Sequence, residues 1–244
     1  MKKFAIICHG RSGSNFLVTE LKEHPDIECG WEIYLPQEIN KLHLFGAVLE
    51  NRQENPKEYI DYVYKIVNVH NKPIVGSKLL HPTVPLKTLE KLITEPDISF
   101  IFLYRKNILE SVVSYFMAKK TNQWIIEGDA QPIKPEPFII PLNEIEYGIL
   151  ERIQFIKHMK NVMKNHLEVT YEELINVDTI NRICLFLGVP LVDKLHNCIK
   201  KQANEKTYNL IQNKLEIEEK YGKIYGYLGK SSLDDLNHIE YWKQ

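Results

Sequence analysis

The sequence predicts an α/β protein in three layers, with helices packed on both faces of a central parallel sheet. Apolar, β-favouring runs alternate with helix-spaced segments along the 244 residues. One run, Ile98–Tyr104 (ISFIFLY), is hydrophobic without alternation, the pattern of a strand buried on both faces. The chain also opens on a strand, a glycine-punctuated loop and a helix in immediate succession, the first half of a βαβ unit. Length and a 44% hydrophobic content suit one domain over residues 1–244.

Residues 4–8 form the first apolar strand, and Phe16, Leu17 and Leu21 give the following segment a helical spacing. Residues 26–34 (DIECGWEIY) read as a second strand running into a loop. Helical periodicity then covers 36–49 and 56–69, joined by a polar link at 51–55. Residues 73–80 (PIVGSKLL) form a buried strand that exits through Lys78 and His81 and is stopped by Pro82 and Pro85. A short helix at 86–94 leads into the strand at 98–104, and a helix at 107–118 follows. Residues 119–141, rich in Pro, Gly and polar residues, form a long loop. A long amphipathic helix at 143–165 precedes a short strand at 167–170, a short helix at 171–175, and another at 179–187 ended by Gly188 and Pro190. Residues 191–244 have weak periodicity and no linker that would mark a domain border.

The first loop, His9-Gly-Arg-Ser-Gly-Ser14, presents backbone N–H groups and the positive end of a helix dipole at the strand's carboxyl edge. Gly10 and Gly13 permit close backbone approach to an oxyanion. Arg11 adds a permanent charge, and Ser12, Ser14 and Asn15 add hydroxyl and amide groups. The chemistry is that of a phosphate or sulfate site. The phosphate-loop pattern G-x-x-x-x-G-K-[ST] is excluded because Ser14 follows Gly13, and the dinucleotide pattern G-x-G-x-x-G is absent. Arg11, Glu32, Lys78 and Arg105 each follow a predicted strand, so a parallel sheet gathers them around one crevice.

Composition narrows the partners. A net charge of −1 gives no global attraction for nucleic acid. Cys8, Cys29, Cys184 and Cys198 lack metal-ligand or disulfide-framework spacing and are expected as free buried thiols; no metal is expected. The absence of a signal-peptide pattern and of any run of ~20 apolar residues leads to the expectation of a cytoplasmic protein, with peripheral contact to a membrane-surface substrate left open.

Two motifs together carry a family resemblance. GRSGSNFL at 10–17, paired with FLYRKNILESVVSYF at 102–116, resembles the cofactor-binding elements of sulfotransferases that use 3′-phosphoadenosine 5′-phosphosulfate (PAPS), and VTYEELINVDTINRICLFLGVP at 169–190 is similar to a later block of that family. The resemblance implies the P-loop NTPase-like sulfotransferase fold. It also implies that Arg11, Ser12, Gly13, Ser14 and Asn15 wrap the 5′-phosphosulfate, and that Arg105 and Ser114 bind the 3′-phosphate. Arg105 to Ser114 is nine positions, one more than is usual in the family, so Lys106 shares or replaces the arginine's place, and Ser111 is a weaker alternative to Ser114. Tyr171 is placed near the adenine. The G-W-E context and the R-S-G-S-N loop look most like bacterial carbohydrate or glycolipid sulfotransferases. By the same resemblance Glu32 is the expected base, with His81 its rival and Lys78 set against the sulfate or bridging oxygen. The alternatives are a P-loop-like kinase of nucleotides or small molecules, and a catalytically silent nucleotide-binding protein of the same fold.

Overall fold

In the computed structural model, which describes residues 1–35, 52–196, 199–200, 205–230 and 239–243, strand β1 (Lys2–His9) runs up the middle of a five-stranded sheet. The order is β2 (Ile27–Glu32), β3 (Ile74–His81), β1, β4 (Ile98–Tyr104) and β5 (His166–Thr170), with every pair parallel. Ile6 lies level with Lys78 on one side and Ile101 on the other, so the first and fourth strands are direct neighbours.

Strand alternation divides the core. Phe4, Ile6, Cys8, Ile101 and Leu103 face α1 (Ser14–Glu23) and α6 (Val177–Leu187). Ala5, Ile7, Leu79, Phe102 and Tyr104 face α2 (Pro56–Val67), α3 (Leu86–Leu92) and α5 (Leu142–Val162). A third cluster forms where α4 (Ile108–Thr121) packs on α5 and is covered by Tyr208 of α7 (Glu205–Tyr208) and by Ile217 and Tyr221 of α8 (Lys214–Tyr225). Burying apolar area at about 25 cal/mol per Å² is what drives these layers together.

Most element ends have local causes. The Asn107 side chain accepts from the N–H of Glu110 and starts α4, which runs to Thr121, three residues past the end read from the sequence, and is closed by Asn122 in the left-handed conformation (φ 51°). Asn176 likewise accepts from the N–H of Asp178, starting α6 at Val177, before the expected 179. Residues Tyr171–Glu173 form a single 3-10 turn held by a Thr170–Glu173 capping box. The helix read over 36–49 lies outside the described residues. Cys8, Cys29 and Cys184 are free and buried, with burial pushing the Cys8 and Cys29 thiols up to about 11 and about 12; Cys198 lies outside the described residues. Among those residues no helix is long and apolar enough to cross a membrane.

Candidate active site

The loop between β1 and α1 turns through two left-handed residues, Arg11 (φ 66°) and Gly13 (φ 87°). A side chain at Gly13 is excluded twice, by that φ and because its Cβ would lie 2.5 Å from Cδ2 of the Tyr171 ring. Gly13 is the N-cap of α1 and makes no side-chain cap, so the first-turn amides of α1 present their N–H groups as an anion cradle. The Ser12 hydroxyl donates to the His9 carbonyl at 2.8 Å, bracing the loop from inside, and Ser14 is buried.

On the β2–β3 side, pairing sets Glu32 level with Lys78, and a register shift between Gly30 and Glu32 admits Trp31 as an extra residue. That bulge brings Trp31 and Glu32 to the same amine. Lys78 Nζ lies 2.9 Å from Glu32 Oε1 and 5.5 Å from the centroid of the Trp31 ring, and it donates to Asn15 Oδ1 on the loop. Lys78 is only 3% exposed, whereas the Glu32 side chain keeps 20% of its surface open. A carboxylate of ordinary reach is thus tied through one buried lysine to the anion cradle.

On the β4 side, the Arg105 guanidinium lies 4.1 Å over the Tyr171 ring and pairs with the fully buried Glu110 at 2.5 Å. Burial pulls against the Arg105 charge, and Glu110, Tyr171 and Tyr208 outweigh it, raising the guanidinium above its usual range. Lys106 is half-buried; its amide donates to Glu172 Oε2 at 3.1 Å. Arg11 Nε donates to Ser114 Oγ at 3.0 Å and Arg11 Nη1 to the Trp124 carbonyl at 2.7 Å. Desolvation, then the nearby Arg105 charge, lower Arg11 to about 10.

Two features were missed in the sequence. Arg152, buried on α5, donates from Nε to Ser111 Oγ at 3.0 Å, and that hydroxyl meets the Gly10 carbonyl at 3.4 Å. Burial lowers Arg152 to about 10, and the charges of Arg105 and Arg11 push it the same way. Three guanidinium groups therefore share one field, a concentration that favours an anion. Glu110 is the second. Each had a signal: a charged residue on the apolar face of a helix, one turn from Ile149 or inside the run Ile108 to Val113.

His81 stands apart from Glu32. It is on the other face of the sheet, stacked on Phe155 at 4.8 Å and edge-on to His9 at 5.8 Å, while His9 Nε2 lies 3.4 Å from Glu151 Oε2. Burial lowers both histidines below 6.5. Among the described residues no group of three or more His, Cys, Asp or Glu is arranged to hold a metal ion.

A central parallel strand that delivers an uncapped helix N-terminus and a cluster of arginines to one crevice gives an α/β protein whose crevice chemically suits a phosphate- or sulfate-bearing ligand. Residues 2–230 match the sulfotransferase domain, and the chain belongs to the sulfotransferase family. It is similar to Nodulation protein H of Rhizobium meliloti, 24% identical over 195 residues, 78% of each chain. It is also similar to the Nodulation protein H of Rhizobium meliloti strain 1021, 24% identical over 149 residues, 59% of this chain and 58% of that one. The crystal structure of a sulfotransferase from Alicyclobacillus acidocaldarius superposes with a TM-score of 0.53 at 14% identity, covering 100% of this chain and 99% of that one, a likeness of fold.

Proposed function

We propose that this sulfotransferase, working as a single domain, moves the sulfuryl group of PAPS to a hydroxyl of a carbohydrate or glycolipid acceptor. The observation that carries the reading is the Lys78 bridge, which joins Glu32 to Asn15 and so sets an acid–base group beside the anion cradle. The residues fit a doubly phosphorylated nucleotide. The amides and side chains of residues 11–15 suit the 5′-phosphosulfate, and Arg105, Ser114 and Lys106 suit the 3′-phosphate, with Tyr171 between the two sets through its contacts with Gly13 and Arg105. PAPS supplies the sulfuryl group.

The chain supplies the rest. Glu32 accepts the proton of the acceptor hydroxyl as that oxygen attacks. Lys78, held within reach of both Glu32 and the cradle, donates to the oxygen that develops negative charge. Arg11, once it exchanges the Trp124 carbonyl for the ligand, adds a second fixed donor. By analogy with phosphoryl transfer the transition state is loose, so the acceptor proton leaves late and a carboxylate suffices as its acceptor. The test is to incubate the purified protein with sulfur-labelled PAPS and a panel of carbohydrates and glycolipids, reading labelled product by mass. Phosphorylated product formed from ATP and magnesium, with none from PAPS, would replace this reading with that of a kinase.

A further inference from the structure

The peptide that joins Gly10 to Arg11 is held in an orientation its own residues do not favour. Arg11 sits at φ 66°, a left-handed conformation that a side chain opposes. Rotating that one peptide by half a turn would return Arg11 to the ordinary negative range, because such a flip changes only ψ of residue 10 and φ of residue 11, and a glycine at 10 accepts either orientation. What opposes the flip is polar and comes from α4 and α5. The Ser111 hydroxyl meets the Gly10 carbonyl at 3.4 Å, and Arg152 Nε donates to the same hydroxyl at 3.0 Å, which leaves the hydroxyl proton for the carbonyl. Arg152 is fixed in turn by Nη1, which donates to the Gly148 carbonyl at 2.9 Å, and Gly148 packs so closely on Val112 that a Cβ there would lie 2.9 Å from Cγ1. The His9 ring reaches the same oxygen, with Nδ1 3.4 Å away and Nε2 3.4 Å from Glu151. Burial lowers His9 below 6.5, so near neutral pH it has one ring proton for those two acceptors.

We propose that Ser111 and Arg152 are positioning residues for recognition of the 5′-phosphosulfate. They draw the Gly10 carbonyl toward α4 and α5, and because the N–H and C=O of a trans peptide point opposite ways, the Arg11 N–H is aimed at the anion. The inference rests on the PAPS reading above, in which residues 11–15 take that group. A flipped peptide would set a carbonyl oxygen where the N–H belongs, replacing a donor by an acceptor that repels the anion. The Arg11 side chain has its own anchors, Ser114 and the Trp124 carbonyl among them, so the relay from α5 acts on the backbone. Ser111, a weaker candidate for the 3′-phosphate in the sequence, thereby serves the other end of the nucleotide. A ligand with only a 3′-phosphate engages Arg105, Ser114 and Lys106 and is indifferent to the relay.

The experiment measures calorimetric affinity for 3′-phosphoadenosine 5′-phosphate (PAP), 5′-AMP and adenosine 3′-phosphate (3′-AMP), with melting temperature alongside, in the wild type, Ser111→Ala and Arg152→Lys. Ser111→Ala removes the donor to Gly10, and Arg152→Lys keeps the buried charge while removing the Nε–H that faces Ser111. We expect the wild type to prefer PAP, each variant to lose roughly five- to tenfold in affinity for PAP and 5′-AMP, and 3′-AMP affinity to stay within about twofold. Equal losses for all three ligands would make the two residues structural only. Losses confined to PAP and 3′-AMP would make Ser111 a direct ligand of the 3′-phosphate, and unchanged affinities would remove any role; each of these overturns the proposal while the PAPS reading stands. A wild type that fails to prefer PAP over 5′-AMP would overturn that reading and this proposal with it. Should neither variant fold, the Arg11 amide of the wild type decides by NMR: its proton should move downfield with 5′-AMP and not with 3′-AMP, and no movement with 5′-AMP overturns the proposal.

Discussion

Lys78 Nζ stands 2.9 Å from Glu32 Oε1 and at the same time donates to Asn15, so one ammonium group spans the β2 carboxylate and the β1–α1 segment. The contact joins β2, β3 and α1 and depends on the Trp31 bulge. Glu32→Gln keeps the shape and a hydrogen bond to Lys78 but takes no proton. Turnover is expected to fall by about a hundred- to ten-thousandfold, roughly 3 to 5 kcal/mol, with nucleotide affinity close to wild type. Near-normal turnover in Glu32→Gln, with loss in His81→Asn, would transfer the role to His81.

Arg105→Ala is expected to weaken PAP binding about ten- to a hundredfold, since charge-assisted hydrogen bonds contribute roughly 1.5 to 3 kcal/mol each. AMP should lose little. The variant also leaves Glu110 as a buried carboxylate held only by the remaining partners, Tyr208 among them, so its melting temperature should drop. Identical losses for PAP and AMP would show that Arg105 does not read the 3′-phosphate.

Activity is expected to survive chelation. Arg11, Lys78, Arg105 and Arg152 supply positive charge where a kinase would use magnesium. Loss of sulfation on EDTA treatment, restored by magnesium, would contradict this.

Stability should fall as pH drops below 6.5. Burial lowers His9 and His81 from that value, so between it and their folded values the unfolded chain binds more protons than the folded one. For both, burial is the largest cause; at His9 Glu151 favours the charge and Arg152 opposes it, and at His81 Glu151 favours it and His158 opposes it. Denaturant melts from pH 7.5 to 5.5 should show a shallower loss in His9→Gln than in the wild type. An unchanged slope would mean His9 does not contribute.

The fold was legible because its evidence is local and repeated. Ile98–Tyr104 reads as a fully buried strand from its composition alone, and the strand–loop–helix over the first residues names the anion loop. The sulfotransferase family was legible in three short motifs. Partnerships were not. No periodicity tells that Glu110 will face Arg105, that Arg152 will reach Ser111 under the loop, or that Trp242 will meet Lys106. Such contacts arise between elements far apart in sequence, where only packing decides which polar group lies opposite which. The C-terminal segment was opaque for the same reason: Tyr208 and Tyr221 are core residues of a cluster built mostly by other helices. His81, read as a rival base from its place after β3, was put on the opposite face by the one-residue alternation of the strand.

The strand order has an energetic corollary. Glu32 and Lys78 lie on the β2–β3 flank, Arg105 and Tyr171 on the β4–β5 flank, and among the described residues the β1–α1 segment touches both, through Asn15 on one side and Gly13 on the other. Perturbations on the two flanks should therefore be thermodynamically independent, their free-energy changes summing to within a few tenths of a kcal/mol. Combining either with Arg11→Ala should break that sum, because the loop is the shared term. The sheet thus divides the candidate site into two modules that meet at the six residues Gly10 to Asn15.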